Sequence, residues 1–96
     1  MKLVCTPEFV REALALAGPV RAGVSRMLRI AGELGFSQLL NHQGLHLEKL
    51  SGRVDSATRS PLYSLRATRA ARVIALLDGD VLVFLSVESD HDKAYH

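Results

Sequence analysis

The segment from residue 72 to residue 87, RVIALLDGDVLVFLSV, constrains the fold more than any other part of the chain. It contains two short apolar runs, RVIALL and VLVFLSV, separated by Asp78-Gly79-Asp80. An Asp-Gly pair between apolar runs is typical of a β-hairpin turn. The second run is apolar almost throughout, which favours a central strand covered on both faces. The segment therefore predicts two antiparallel strands, over 72–77 and 81–87.

A third strand is predicted over residues 62–67, LYSLRA, where side chains alternate in character. The alternation places Tyr63, Leu65 and Ala67 on one face of the strand. It places Leu62, Ser64 and Arg66 on the other face. Together with the hairpin, this strand predicts a three-stranded antiparallel meander.

The N-terminal part predicts a strand followed by two helices. KLVC over 2–5 fits a short strand, and Thr6 then fits the N-cap of a helix over 7–17. A second apolar stripe at helical spacing runs over 20–34, and Gly35 fits its C-cap. The short connection between the helices predicts a two-helix antiparallel hairpin.

The predicted fold class is therefore α+β, with the helices on one face of a mostly antiparallel sheet. A chain of 96 residues is too short for two independent cores, so residues 1–96 are predicted to be a single domain. Residues 36–60 are ambiguous. They fit an irregular connection with a short helical turn and a short strand around LHLEKL, followed by SGRVDSATRSP, which has the composition of a loop.

Composition and charge limit the function classes. Cys5 is the only cysteine, which fits a reducing compartment, and no run approaches the roughly 18 apolar residues of a membrane span. We therefore predict a cytoplasmic protein that does not bind a membrane. Six basic residues and one acid, Asp55, lie between Lys49 and Arg72. This distribution fits either a polyanion partner or a solvated arginine-rich face.

No metal or cofactor site is predicted. His91, Asp92 and His96 offer nitrogen and oxygen ligands, but a terminal residue is usually frayed and no cysteine cluster supports a closed site. His42 and His46 fit a polar loop better than a shared helix face.

Three segments in order, HLEKLSG, YSLRA…ARVI and a final HDKAY, resemble the RelE/ParE superfamily of bacterial toxin–antitoxin toxins. The resemblance implies a toxin that enters the ribosomal acceptor site and cuts messenger RNA without a metal. It also implies a cognate antitoxin that covers the basic face. Relatives that poison gyrase share the fold but not this chemistry.

The resemblance also implies roles for four residues. Arg66 and Arg72 lie where the family carries basic residues on neighbouring strands, and the pair would neutralise the scissile phosphate. His91 would act as general acid or base, and Tyr95 would orient or stack on a nucleotide. The alternatives are solvated arginines or arginines bridged to Asp78 or Glu88, a His91 hydrogen-bonded to a carboxylate, and a Tyr95 packed on the sheet edge.

The remaining candidates for RNA binding are Lys49, Arg53, Arg69 and Ser64. Glu48 and Lys49 fit a base and a phosphate contact, or plain surface residues. Ser64 stands where active relatives often carry an ionisable group, and Asp92 where many carry a cation. These departures keep a second hypothesis open, a non-catalytic module of the same fold or a gyrase inhibitor. A third hypothesis is an unrelated small α+β domain.

Overall fold

The computed structural model describes residues 1–89, which form three helices and five strands. The helices are α1 (Pro7–Leu14), α2 (Gly18–Glu33) and α3 (Phe36–Leu40). The strands are β1 (Lys2–Cys5), β2 (Glu48–Val54), β3 (Pro61–Thr68), β4 (Ala71–Asp78) and β5 (Val81–Ser89).

All five strands belong to one sheet, in the order β1-β5-β4-β3-β2. β1 runs parallel to β5, and every other neighbouring pair is antiparallel. The three strands predicted from alternation and apolar runs are confirmed as β3, β4 and β5. The predicted hairpin turn is present as well, since Asp78 pairs with Val81 and Gly79 has a φ of 62°. A positive φ is a conformation that glycine adopts at little cost.

The start of α1 follows the predicted capping pattern. The hydroxyl oxygen of Thr6 accepts a hydrogen bond from the Phe9 backbone N–H at 3.2 Å, and Pro7 occupies the first turn. The same hydroxyl donates to the Phe84 carbonyl at 2.9 Å, which ties the helix start to β5. The helix ends at Leu14 rather than at residue 17, because the chain already turns at Ala15 and Leu16.

The prediction that Gly35 caps the end of α2 was wrong. Gly35 is instead the N-cap of α3, and its N–H donates to the Gln38 side-chain oxygen at 2.9 Å. α2 ends two residues earlier, at Glu33, where Leu34 takes an extended conformation. The short helical turn expected somewhere in residues 36–60 is therefore α3, at the start of that range.

The antiparallel part of the sheet has one strand more than the predicted three-stranded meander. The predicted two-helix hairpin also describes the helices incompletely. Residues 48–54 form β2, which extends the antiparallel part of the sheet to four strands. This range includes SGRV, which was expected to be loop. α1 packs mainly on β5 and α2 mainly on β3, so each helix contacts the sheet more than the other helix.

The main core lies between the helices and one face of the sheet. Phe9 of α1 packs against Phe84 of β5 with ring centroids 5.5 Å apart. The other buried members of this cluster are Val24, Met27, Ala31, Leu39, Leu45, Leu65, Ala67, Val73, Ala75 and Leu82. We call the sheet surface that carries Leu65, Ala67, Val73, Ala75, Leu82 and Phe84 the covered face. Over residues 1–89, no helix combines the length and the apolar character needed to span a bilayer.

Candidate nucleic-acid interface

The opposite surface of the sheet carries a smaller apolar cluster and several charged residues. The cluster contains only strand residues: Leu62, Ile74 and Leu76 are buried, and Leu50, Val83 and Leu85 pack against them. Since side chains alternate along a strand, Ser64 and Arg66 of β3 share this surface with Leu62. Arg72 of β4 shares it with Ile74 for the same reason. We call this surface the arginine face.

Arg66 and Arg72 are directly opposite one another in the register of β3 and β4. Side chains at opposed positions of an antiparallel pair have Cβ atoms about 4.5–5.5 Å apart, and like charges there are destabilising. The sequence-based prediction placed both residues on neighbouring strands, and the structure brings them together. Arg66 is exposed, while the Arg72 side chain keeps 35% of its surface accessible.

Glu48 supplies a negative charge beside this pair. Its Oε2 lies 3.7 Å from Arg72 Nη1, and its Oε1 lies 3.6 Å from His46 Nε2. The Glu48 backbone is the register partner of Ser64, so the carboxylate belongs to the same face as the arginines. His46, Glu48 and Arg72 thus form a continuous row of charged or titratable side chains.

A second ion pair crosses the arginine face. Arg53 Nη2, from β2, lies 3.7 Å from Glu88 Oε2, from β5, although β3 and β4 lie between these strands in the sheet. The side chains remain 51% and 42% accessible, respectively. Ion pairs between such exposed groups typically contribute about 0–1 kcal/mol, so a phosphate can displace them at little cost.

Ser64 lies beneath this surface rather than on it. Its relative exposure is 1%, and its hydroxyl oxygen has no hydrogen-bond partner. A buried hydroxyl without a partner costs stability. The residue therefore lies in the floor of the face, where it does not reach a bound nucleotide in this conformation.

The other predicted RNA-binding residues lie around the edge. Lys49 follows Glu48 in β2 and pairs with Tyr63, so alternation directs it away from Arg72. Lys49 and Arg53 nevertheless line one cavity of about 530 Å³ along β2. Arg69 is exposed in the turn between β3 and β4. His91 and Tyr95 lie outside the described residues, as do Asp92 and His96.

Sequence reasoning gave the carboxylates of this site too little weight. It mentioned Glu48 only as a possible base and Glu88 only as a possible partner of an arginine. Glu48 pairs with Arg72, whereas Glu88 pairs with Arg53. Arg53 and Glu88 are far apart in the sequence, and no local pattern links them.

Two further observations describe the surroundings of the site. Hydrogen bonds from the Thr58 backbone and side chain hold the pKa of Asp55 below its usual value, and they order the loop between β2 and β3. Within residues 1–89 there is no group of three or more His, Cys, Asp or Glu side chains that could hold a metal ion.

No protein-family model and no curated protein matches this sequence. Solved structures do match. The chain is similar to a structure described as a RelB-RelE antitoxin-toxin complex from Methanococcus jannaschii, with a TM-score of 0.69 and 18% identity over 96% of this chain and 94% of that one. It is similar to an archaeal RelE-RelB complex from Pyrococcus horikoshii OT3, with a TM-score of 0.66 and 17% identity over 92% of each chain.

A third similar structure is a YoeB/ParE toxin from Agrobacterium tumefaciens, with a TM-score of 0.62 and 17% identity over 93% of this chain and 98% of that one. These likenesses span nearly the full length of each protein. They confirm the fold implied by the three sequence segments. This chain therefore has the fold of the RelE-like toxins.

Proposed function

We propose that this protein is a RelE-like toxin that cuts ribosome-bound mRNA and thereby inhibits translation. The observation that carries the proposal is the opposition of Arg66 and Arg72 across β3 and β4, on the face that the helices leave open. Two like charges at opposed positions weaken a sheet. Glu48 and the cross-strand neighbour Glu88 offset this repulsion on the Arg72 side, and a bound anion would offset it for both guanidinium groups. A phosphodiester is the ligand whose charge and geometry suit two guanidinium groups.

The chemistry requires charge neutralisation at phosphorus. Attack of the 2′-oxygen on the adjacent phosphate forms the O2′–P bond, and departure of the 5′-oxygen breaks the P–O5′ bond. The phosphorane between these steps carries extra negative charge. Guanidinium groups held by a rigid sheet stabilise this charge without having to reorganise. Arg72 becomes available when the phosphate replaces Glu48, whose ion pair with it is 3.7 Å long and partly exposed.

The remaining roles in the proposal belong to residues around the arginine pair. Lys49, Arg53 and Arg69 contact flanking phosphates, and the cavity along β2 that Lys49 and Arg53 share supports this assignment. His91 carries protons to or from the reacting oxygens, and Tyr95 orients or stacks on a nucleotide. A ribosomal target would place the site of action in the cytoplasm.

We further propose a cognate antitoxin as the protein partner, as in the two archaeal complexes that share this fold. A groove of about 500 Å³ between α1 and α2 supports this proposal, since Leu14, Val24 and Leu28 line it and Arg21 stands beside them. Leu14 is 64% exposed and Val10 42% exposed along the same helix. The groove suits an amphipathic segment with apolar residues toward the helices and acidic residues toward the arginine.

The test is induced expression in bacteria with transcript 5′ ends mapped at ribosomes. The wild type should arrest growth and produce cuts in translated mRNA, and Arg72→Ala should abolish both. Arg29→Ala removes an exposed arginine from α2 and should behave as the wild type. Full toxicity of Arg72→Ala would contradict the assignment.

One observation favours a second candidate, a non-catalytic module of this fold. Arg53 and Arg72 are already paired with carboxylates of the chain itself, which reduces the positive potential of the face. Growth arrest with intact mRNA and damaged DNA would favour a gyrase inhibitor. Induction without arrest would favour a binding module.

A further inference from the structure

His46 lies two residues before β2, in an unusual backbone conformation. Its φ is 47°, in the left-handed region, and only Arg59 among the other non-glycine residues of 1–89 also has a positive φ. Non-glycine residues in this region are uncommon, and they persist only where the surroundings hold them. Such conformations cluster at functional sites, so His46 is a candidate for a functional role.

Three hydrogen bonds hold the turn that carries His46. The Leu45 backbone N–H donates to His42 Nδ1 at 3.2 Å, and the His46 N–H donates to the His42 carbonyl at 3.2 Å. The Leu45 carbonyl accepts from the Arg66 backbone N–H at 2.6 Å. Leu45 itself is buried in the main core. The residue before His46 is therefore fixed to the same strand position that presents Arg66.

The imidazole is held on one side and open on the other. His46 Nε2 lies 3.6 Å from Glu48 Oε1, while the side chain remains 51% exposed. This separation is longer than a hydrogen bond, so the carboxylate attracts the imidazole electrostatically without fixing its tautomer. The ring nitrogen that does not face Glu48 is Nδ1. Glu48 from β2 is the charged group at the ring, and Arg72 from β4 pairs with the other oxygen of that carboxylate. Arg26 of α2 lines a cavity with His42 and Leu45, and His42 is the other titratable residue of the turn.

We propose that His46 is the general base of the cleavage reaction and that Glu48 is the positioning residue that holds its ring. The inference rests on the proposed ribonuclease function and assigns a residue that the resemblance does not imply. Nδ1 of His46 takes the proton of the 2′-hydroxyl as the O2′–P bond forms. The P–O5′ bond breaks, and the leaving oxygen takes up a proton, which is the transfer that this assignment leaves to His91 in the proposed function. The phosphate displaces Glu48 from Arg72, and Arg72 stays within reach of the phosphorane. The Glu48 carboxylate is then able to pair with the imidazolium that forms on His46.

The experiment is single-turnover mRNA cleavage on programmed ribosomes between pH 5.5 and pH 8.5. His46→Asn keeps a side chain that tolerates a positive φ but removes the base. We expect the rate to fall by about 10²–10⁴-fold with little change in KM, since a general base contributes about that factor. The wild-type rate should decrease toward acidic pH, because a protonated imidazole cannot accept a proton, and this decrease should be absent in the residual activity of His46→Asn.

His42→Asn is the matched control, because it removes an imidazole from the same turn and keeps an acceptor near the position of Nδ1. Its rate and pH profile should match the wild type. Glu48→Gln should lower the rate less than His46→Asn does and should retain the acidic decrease. Thermal unfolding of every variant separates a lost base from a lost fold.

The outcomes distinguish the two proposals. A His46→Asn variant that keeps the wild-type rate and pH profile overturns the inference, whereas the proposed function stands if Arg72→Ala is inactive in the same assay. Loss of the acidic decrease in Glu48→Gln, but not in His46→Asn, would make Glu48 the base and would also overturn the inference. A wild-type protein that cuts no mRNA overturns both proposals.

Discussion

The covered face and the arginine face are built from alternate residues of the same strands. On the covered face, Leu65 and Val73 are fully buried under helices. At the position next to each of these residues, Arg66 and Arg72 oppose each other, and among residues 1–89 only strand residues form the apolar cluster on that surface. The apolar burial that stabilises the fold comes mainly from one surface. Because the covered face supplies this burial, the arginine face can carry opposed like charges, which are destabilising.

The largest contrast is expected between Phe84 on the covered face and Arg72 on the arginine face. Phe84→Ala removes a fully buried ring that packs on Phe9, and it should lower the free energy of unfolding by about 3–5 kcal/mol. Arg72→Ala removes a partly exposed ion pair and should change it by less than about 1 kcal/mol. Urea denaturation followed by circular dichroism measures both. Equal losses of unfolding free energy in the two variants would mean that the arginine face contributes as much to stability as the covered face does.

A second prediction concerns how tightly the covered face packs. A Cβ atom on Gly23 of α2 would overlap the Thr68 methyl group and lie 2.8 Å from the Ala67 carbonyl oxygen. Gly23→Ala should therefore cost about 1–3 kcal/mol through overpacking, despite the helix propensity of alanine. Gly18→Ala is the control, since a Cβ there meets nothing within 4 Å and the change should stay within about 0.5 kcal/mol. Equal melting temperatures for Gly23→Ala and Gly18→Ala would contradict this close approach of α2 to β3.

The smallest effect should come from Ser64, in the floor of the arginine face. Ser64→Ala removes a buried hydroxyl that has no partner, so we expect a stabilisation of up to about 1 kcal/mol. RNA binding should not change, because the side chain is 1% exposed. A destabilised variant would show that the hydroxyl is satisfied in solution. Weaker RNA binding by a stable variant would show that Ser64 reaches the nucleotide.

The parts of the fold that the sequence predicts are those with a strong local pattern. Alternation in residues 62–67 assigns Leu65 to the covered face and Arg66 to the arginine face, and the Asp-Gly turn fixes the pairing of β4 with β5. Only the start of β2 was predicted, by the short strand expected around LHLEKL. Its second half escaped prediction because it is polar and has an irregular register and a glycine, Gly52, at a φ of 74°. Neither alternation nor an apolar run marks such a strand.

The site was predictable only where it follows strand order. The opposition of Arg66 and Arg72 follows from a hairpin between their strands, so the sequence indicates it. The contact between His46 and Glu48 depends on a left-handed backbone just before β2, which strand alternation does not describe. The ion pair between Arg53 and Glu88 depends on how the sheet curves, and that is a property of the whole fold.

The central claim is that Arg66 and Arg72 together hold a phosphate of single-stranded RNA. The salt dependence of RNA binding tests it most directly, because each phosphate contact adds about 0.7 to the slope of log K against log salt. Fluorescence anisotropy with a short single-stranded RNA should show a slope about 0.7 smaller for the double variant Arg66→Gln/Arg72→Gln than for the wild type, since the pair holds one phosphate. The control Arg11→Gln/Arg29→Gln removes two exposed arginines from the helices and should keep the wild-type slope. An unchanged slope in the first variant, or an equal loss in both, would contradict the account.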